Sequence, residues 1–261
     1  MWTVFRAEVK RYLQVQWSNP GDSISWLLYT FLVFIAALVI LNGISGGNYG
    51  REAQLLVLIG WLTWVVASDC MSELPVAISE EAQTGTLEQV CLAPISLAGI
   101  LTLRSLAYFL GVGAKGILAA VLLALFVAPL PAGPTLVVLF LISLVGAYGL
   151  GFLFAGVALV FKRTEALVGL VFSLMIFLTG ALVGLESLGW IYQVFKFALP
   201  LTWGISLMRE TLTEGENLIS LWQSGQLAGL SLHSVAYLIV GLAVFAIGYR
   251  RARAKGTLAH Y

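Results

Sequence analysis

Six separate stretches of mainly apolar residues, at 24–41, 53–71, 105–127, 135–160, 166–184 and 231–249, constrain this chain more than any other feature. Each is close to the roughly 20 residues that a helix needs to cross about 30 Å of hydrocarbon. In lipid a backbone must satisfy its own hydrogen bonds, and a helix does so locally. The expected fold class is therefore all-α: a polytopic membrane protein with six transmembrane helices. Composition agrees where it bears on solvation. The chain is 60% hydrophobic and 10% charged, against a charged share of about 25% in soluble domains. Too few polar groups exist to coat a globule, so lipid must solvate it. No intervening segment is large enough to fold alone, and residues 1–261 read as a single transmembrane domain.

Ahead of the first span, residues 2–18 place Trp2, Phe5, Val9, Tyr12, Leu13 and Trp17 on one helical face, with Arg6, Lys10 and Gln14 on another. Basic and aromatic residues so divided predict an amphipathic helix lying in the membrane interface. The alternation of charged and apolar residues is not the apolar core of a cleavable signal peptide. Asn19-Pro20-Gly21-Asp22 ends this helix, because Pro and Gly oppose its continuation. Turn-rich breaks at Gly43–Gly50 and Pro129–Pro134 follow spans one and three. The longest connection, 185–229, separates spans five and six. Its aromatic-rich run from Trp190 to Leu199 meets Pro200, which lacks an N–H and must interrupt a helix. Two short re-entrant helices dipping into the outer interface, one on each side of Pro200, are the expectation.

Charge sets the orientation. Arg6, Lys10, Arg11, Lys162, Arg163, Arg250, Arg251, Arg253 and Lys255 share one side, and Arg51, Lys196 and Arg209 the other, nine against three. The basic side is the cytoplasmic one, which puts both termini and the loop at 80–94 inside a plasma membrane. The net charge of +1 and the lack of a basic domain argue against nucleic acid as a partner. Two Cys and two His cannot build a metal-ligand cluster. Small residues recur at packing intervals, with Ala147, Gly151 and Ala155 in span four and a Gly180–Gly184 GxxxG in span five.

The loop Glu80–Pro94, EEAQTGTLEQVCLAP, holds Glu80, Glu81 and Glu88 with no Lys or Arg. Thr84-Gly85-Thr86 breaks the run, and the Thr86 hydroxyl can cap a short helix from Leu87. Leu87, Val90 and Cys91 then give it one apolar side. A short acidic amphipathic helix between two spans suits docking better than catalysis. The run Glu-Glu-x-x-x-Gly-Thr-Leu-Glu at Glu80–Glu88, with Pro94 after it, resembles the loop after the second span in permease subunits of type-2 ATP-binding-cassette exporters. Leu199-Pro200-Leu201-Thr202 followed by Arg209 resembles that family's pattern ahead of its last span. The order and spacing of the two motifs, in a chain of matching length and hydropathy, extend the resemblance to the whole chain.

The resemblance implies a membrane subunit of an exporter that forms the translocation path. It implies that Glu80, Glu81, Gly85, Thr86, Leu87, Glu88 and Pro94 form a cytoplasmic coupling helix meeting a separate ATPase subunit. It also implies a second permease subunit, as a homodimer, and places Pro200, Thr202 and Arg209 in paired outer helices. Many relatives carry a basic residue shortly after Glu80-Glu81, and this chain does not. No phosphate loop G-x-x-x-x-G-K-[ST] occurs, so ATP and Mg would bind the partner, and no cofactor or catalytic residue is expected here.

Lys115 is the unusual residue inside a span. Counted from Arg104 it lies about 16 Å deep, where a charge costs about 2.5–3.5 kcal/mol and must face the bundle interior or a wet cavity. It is a candidate for the translocation path, or a lysine paired for structural reasons. Arg104 is placed to snorkel to the headgroups. Two other classes use residues present here. An ion-coupled secondary transporter would work through Asp69, Glu73 or Lys115. An intramembrane hydrolase would use Ser45, in Gly43-Ile44-Ser45-Gly46, with His233 as its base.

Overall fold

The structure, a computed structural model, describes residues 2–47, 50–83, 97–126, 133–160, 165–182, 184 and 189–254. These residues form ten helices. In chain order they are α1 (Trp2–Ser18), α2 (Pro20–Ile44), α3 (Arg51–Gln83), α4 (Leu97–Phe126), α5 (Pro134–Val160), α6 (Glu165–Leu178), α7 (Trp190–Ala198), α8 (Pro200–Glu214), α9 (Leu218–Gln223) and α10 (Gln226–Ala254). Five of them, α2, α3, α4, α5 and α10, are long and apolar enough to cross a membrane. They cover five of the six expected spans, with most ends running past the apolar windows that announced them.

Local chemistry explains most of the boundaries. Pro20 and Pro200 each occupy the first turn of their helix, where a missing N–H costs nothing. Leu199 before Pro200 is extended, with φ −129° and ψ 119°, as the proline ring requires of its predecessor. Ahead of α3 the chain turns at Gly46 and Gly47, with φ of 66° and 86°, a region open to glycine at no steric cost. A capping box between Asn217 and Ser220 starts α9.

Span five departs from expectation. The helix at 166–184 stops at Leu178, and Gly180 takes φ 70°. The 14 residues of α6 rise only about 21 Å, short of the hydrocarbon thickness. Gly180 and Gly184 therefore lie beyond the helix and do not form a helical GxxxG face. Span two departs the other way. Its helix is longer than the apolar window of 53–71: α3 continues to Gln83, with Asp69, Glu73 and Pro75 inside it. Pro75 cannot donate to the Met71 carbonyl, and α5 presents Gly151 to that stretch. A Cβ there would lie 3.2 Å from the Met71 oxygen.

The core lies where α5 packs against α3, α8 and α10. Ala147, Gly151 and Ala155 are buried in α5, as their spacing predicts. A second seam on α5 is tighter. Gly149 and Gly156 face Gly241 and Gly248 of α10 so closely that a Cβ on Gly241 would sit 2.0 Å from the Gly149 carbonyl oxygen, and one on Gly248 2.3 Å from that of Gly156. Only hydrogen in place of Cβ permits this approach. By contrast α2 buries only Thr30 and Phe34 fully and leaves most of its surface exposed.

Candidate functional site

The stripe of α4 formed by Arg104, Tyr108, Gly111 and Lys115 has i, i+4, i+7, i+11 spacing, so all four lie on one helical face. That face receives α1. Glu8 Oε2 lies 3.4 Å from Arg104 Nε and 3.7 Å from Arg11 Nη1. One turn on, the Tyr12 ring meets Tyr108 edge to face at 5.6 Å. It fills the slot that Gly111 leaves, since a Cβ there would come within 2.1 Å of Tyr12 Cε1. Lys115 Nζ lies 6.0 Å from the same ring, at cation–π range. Glu8 and Tyr12 thus meet Arg104 and then Tyr108, Gly111 and Lys115 in order along the contact.

The expected apolar face of α1 is split by this contact. Phe5, Val9 and Tyr12 turn toward the protein together with Glu8 and Gln16, whereas Trp2, Leu13 and Trp17 are left exposed. Arg104 does not snorkel. Its side chain is 16% exposed against Glu8 at 13%, because a carboxylate brought by α1 supplies a partner inside. Lys115 is half-buried and rests on Tyr12, with Asp69 and Asp22 the carboxylates acting on it beyond ion-pair distance. Asp69 accepts from Trp26 Nε1 at 2.5 Å, which ties α2 to α3.

Between α1, α3 and α4 lies a half-open cavity of ≈190 Å³ whose lining includes Arg11, Tyr12, Val15, Glu73, Arg104 and Tyr108. The Tyr12 hydroxyl is buried against Gly111 of α4, with no hydrogen-bond partner among the described residues. Burial, then the charges of Glu73 and Asp69, push its phenol up to about 12, so it is an O–H donor at any ordinary pH. The α4 stripe was readable from spacing alone; that α1 covers it was not.

At the other end of the bundle, the expected outer residues gather around the broken end of α6. Thr202 Oγ1 donates to the Leu178 carbonyl at 3.3 Å. Arg209, 8% exposed, donates from Nη2 to the Ala181 carbonyl at 3.3 Å and from Nε to the Leu56 carbonyl of α3 at 3.2 Å. The carbonyl of Leu178, at the C-terminus of α6, is one that a helix end leaves without a partner, whereas Leu56 lies inside α3 and its carbonyl takes the guanidinium as an additional donor. Pro200 packs against Gly146, where a Cβ would lie 2.6 Å from the proline Cβ. Nearby, Tyr192 donates to Ser206, which donates to Glu210. From α10, His233 Nε2 bonds the Phe197 carbonyl at 2.7 Å and Tyr237 the Ala198 carbonyl, fastening the end of α7.

Ser45 and His233 do not form a nucleophile and base. Ser45 Oγ donates to the Asn42 carbonyl of its own turn at 3.1 Å, and His233 is held on α7, so the hydrolase arrangement is not assembled. The backbone of Glu80 and Glu81 forms the last turn of α3. Gly85, Thr86, Leu87, Glu88 and Pro94 lie outside the described residues.

No curated protein matches this chain. The family model of the ABC-2 type transporter matches residues 3–213, a stretch running from α1 through nearly all of α8 and taking in both the α1–α4 junction and the Arg209 cluster. With five helices able to cross a bilayer, the chain belongs to the ABC-2 type transporter family, as a multi-pass membrane component of an ABC transporter.

Proposed function

We propose that this chain is the permease of an exporter, driven by a separate ATPase subunit that docks on residues 80–94 and binds ATP and Mg. The observation that carries the reading is α3. One uninterrupted helix of 33 residues packs against α2, α4, α5 and α8 and ends in the acidic Glu80-Glu81 turn. Its last turn holds no basic residue. Carboxylates at a helix C-terminus oppose the macrodipole by about 0.3–1 kcal/mol, so this end favours a cationic partner. A displacement of that end would reach Glu73 and Asp69 at the α1 junction through a single rigid element. Lys115, beside that junction, would line the translocation path.

Both termini face the cytoplasm of the plasma-membrane-embedded chain in this reading, α1 lies at the inner bilayer surface, and α7 and α8 form a re-entrant outer hairpin. The depth of Pro200 supports the hairpin. Gly146, its neighbour, lies twelve residues into α5, about 18 Å from the Pro134 end. A second copy of the chain completes a homodimer. Asp69, Glu73 and Lys115 also meet the needs of an ion-coupled carrier, and the test separates the two. Chain purified from its own host's membranes should bring with it an ATPase whose hydrolysis responds to substrate, while the chain stripped of partners should hydrolyse nothing above a mock preparation. Recovery of the chain without any ATPase, with transport driven by an ion gradient alone, would overturn the proposal.

A further inference from the structure

We infer that the outward face of α1 docks on an anionic bilayer surface, its indole and leucine side chains entering the headgroup layer and Arg6 and Lys10 drawing acidic phospholipid to it. Trp2, Arg6, Lys10, Leu13 and Trp17 follow at i, i+4, i+8, i+11 and i+15, so they form one stripe along the helix. All five are exposed, Trp2, Leu13 and Trp17 at 69%, 51% and 85%. The other side of α1, with Glu8 and Tyr12, is taken up by α4. Neither Arg6 nor Lys10 has a carboxylate within ion-pair distance among the described residues, and Glu8, the one acid of α1, is turned away to Arg104. The stripe therefore presents positive charge and apolar surface together.

Two features choose a lipid surface over a soluble acidic partner. α1 ends at Ser18 and the spanning helix α2 begins at Pro20, which holds Trp17 within about 10 Å of a helix that enters the bilayer. Indole rings interleaved with Lys and Arg suit the headgroup layer, where an aromatic body and a cation are both solvated. A second basic element stands at the same end of the bundle. Leu101 of α4 and Ala252 of α10 share one buried cluster, and Arg104, one turn on from Leu101, holds Glu8 of α1. Arg250, Arg251 and Arg253 flank Ala252 and are exposed. A negatively charged leaflet along this end would meet both groups of cations. The inference rests on α1 lying at the inner bilayer surface, as proposed above.

Full-length protein in lipid nanodiscs, with Cys70 and Cys91 replaced and bimane attached at Leu13→Cys, tests the face. The fluorophore is apolar and takes the place of the leucine. Acyl-brominated phosphatidylglycerol should quench it more than acyl-brominated phosphatidylcholine at the same mole fraction. Salt at about 1 M, which shortens the screening length to about 3 Å, should shrink the difference. A basic residue near an anionic surface is worth about fivefold in association, so Arg6→Gln/Lys10→Gln should lose most of the excess. Arg6→Lys should keep it, because attraction to a surface needs the charge and not the guanidinium fork. Arg6 and Lys10 are exposed, so these replacements leave the packing intact. Equal quenching by the two lipids, or an excess that survives in the double variant, would overturn the inference and leave α1 at the bilayer. Quenching by aqueous iodide but by neither lipid would remove the placement of α1 and the inference with it. A label reached by neither lipid nor iodide would overturn it in favour of a protein covering the face.

Discussion

Arg209 bonds the carbonyls of Leu56 and Ala181 from one guanidinium, joining α3, α8 and the end of α6. Ala181 lies beyond the end of α6, and its buried acceptor left alone costs about 1–3 kcal/mol. Arg209→Met should therefore lower the unfolding midpoint in detergent substantially, and Thr202→Val, which frees one carbonyl, by less. Arg209→Lys should restore only part, because one ammonium lacks the fork that reaches two carbonyls in fixed directions. Full rescue by lysine would mean that charge alone matters at this position. Glycines give a second test at the same scale. A Cβ on Gly113 meets nothing within 4 Å, whereas one on Gly241 would lie 2.0 Å from the Gly149 oxygen. Gly113→Ala should be neutral or stabilising by up to about 1 kcal/mol, the helix-propensity difference. Gly241→Ala should force α10 away from α5 and destabilise by about 1–3 kcal/mol, the usual cost of overpacking. Thermal unfolding of the two variants in one detergent measures both.

Among the elements, hydropathy made five long spans legible, and Pro200 made the α7–α8 corner legible, because both signals act within one segment. The ends were less so. Residues 72–83 continue α3 past Asp69, Glu73 and Pro75, since the backbone ladder is indifferent to side-chain polarity and packing outweighs one missing N–H. The Gly149, Gly156, Gly241, Gly248 seam was hidden because its two halves stand far apart in sequence and neither has the four-residue spacing of the familiar motif. The α1–α4 junction was hidden for the same reason, as Glu8 and Arg104 are each ordinary until paired. The coupling segment remains a matter of element chemistry. With Glu81 in the last turn of α3 and Leu87 beyond it, the two would meet the ATPase separately. An apolar anchor in a partner groove is worth about 2 kcal/mol or more on truncation, and a rim charge usually less than about 1. Leu87→Ala should thus reduce co-purification of the ATPase and substrate-stimulated hydrolysis more than Glu88→Gln does. Wild-type values in Leu87→Ala and in a Glu81→Gln/Glu88→Gln double variant would leave this stretch a plain connection.

At the scale of the molecule, the number of crossings decides where the ends lie. Five helices are long enough to span, and an odd number would put the termini on opposite sides. Yet Arg6, Lys10 and Arg11 near one end and Arg250, Arg251 and Arg253 near the other are both basic, and positive segments stay in the cytoplasm. The conflict is resolved if α6 also crosses. Its far end reaches the level of Leu56 and Gly60, near the start of α3: Arg209 bonds Leu56 and Ala181 together, and a Cβ on Gly60 would touch the Ala181 oxygen. Gly60 is nine residues from Arg51, so α6 stops roughly 13 Å short of the end of α3. Bare backbone at that depth could not face lipid. Here Thr202 and Arg209 of α8 cover it, as a sixth crossing completed by protein rather than by a longer helix would require. In a background with Cys70 and Cys91 replaced, an impermeant thiol reagent applied to intact cells should therefore label Gln223→Cys, in α9. It should label Thr3→Cys and Ala254→Cys only after permeabilisation. Labelling of just one of those two in intact cells would mean that α6 turns back within the bilayer and that five helices, not six, carry the chain across.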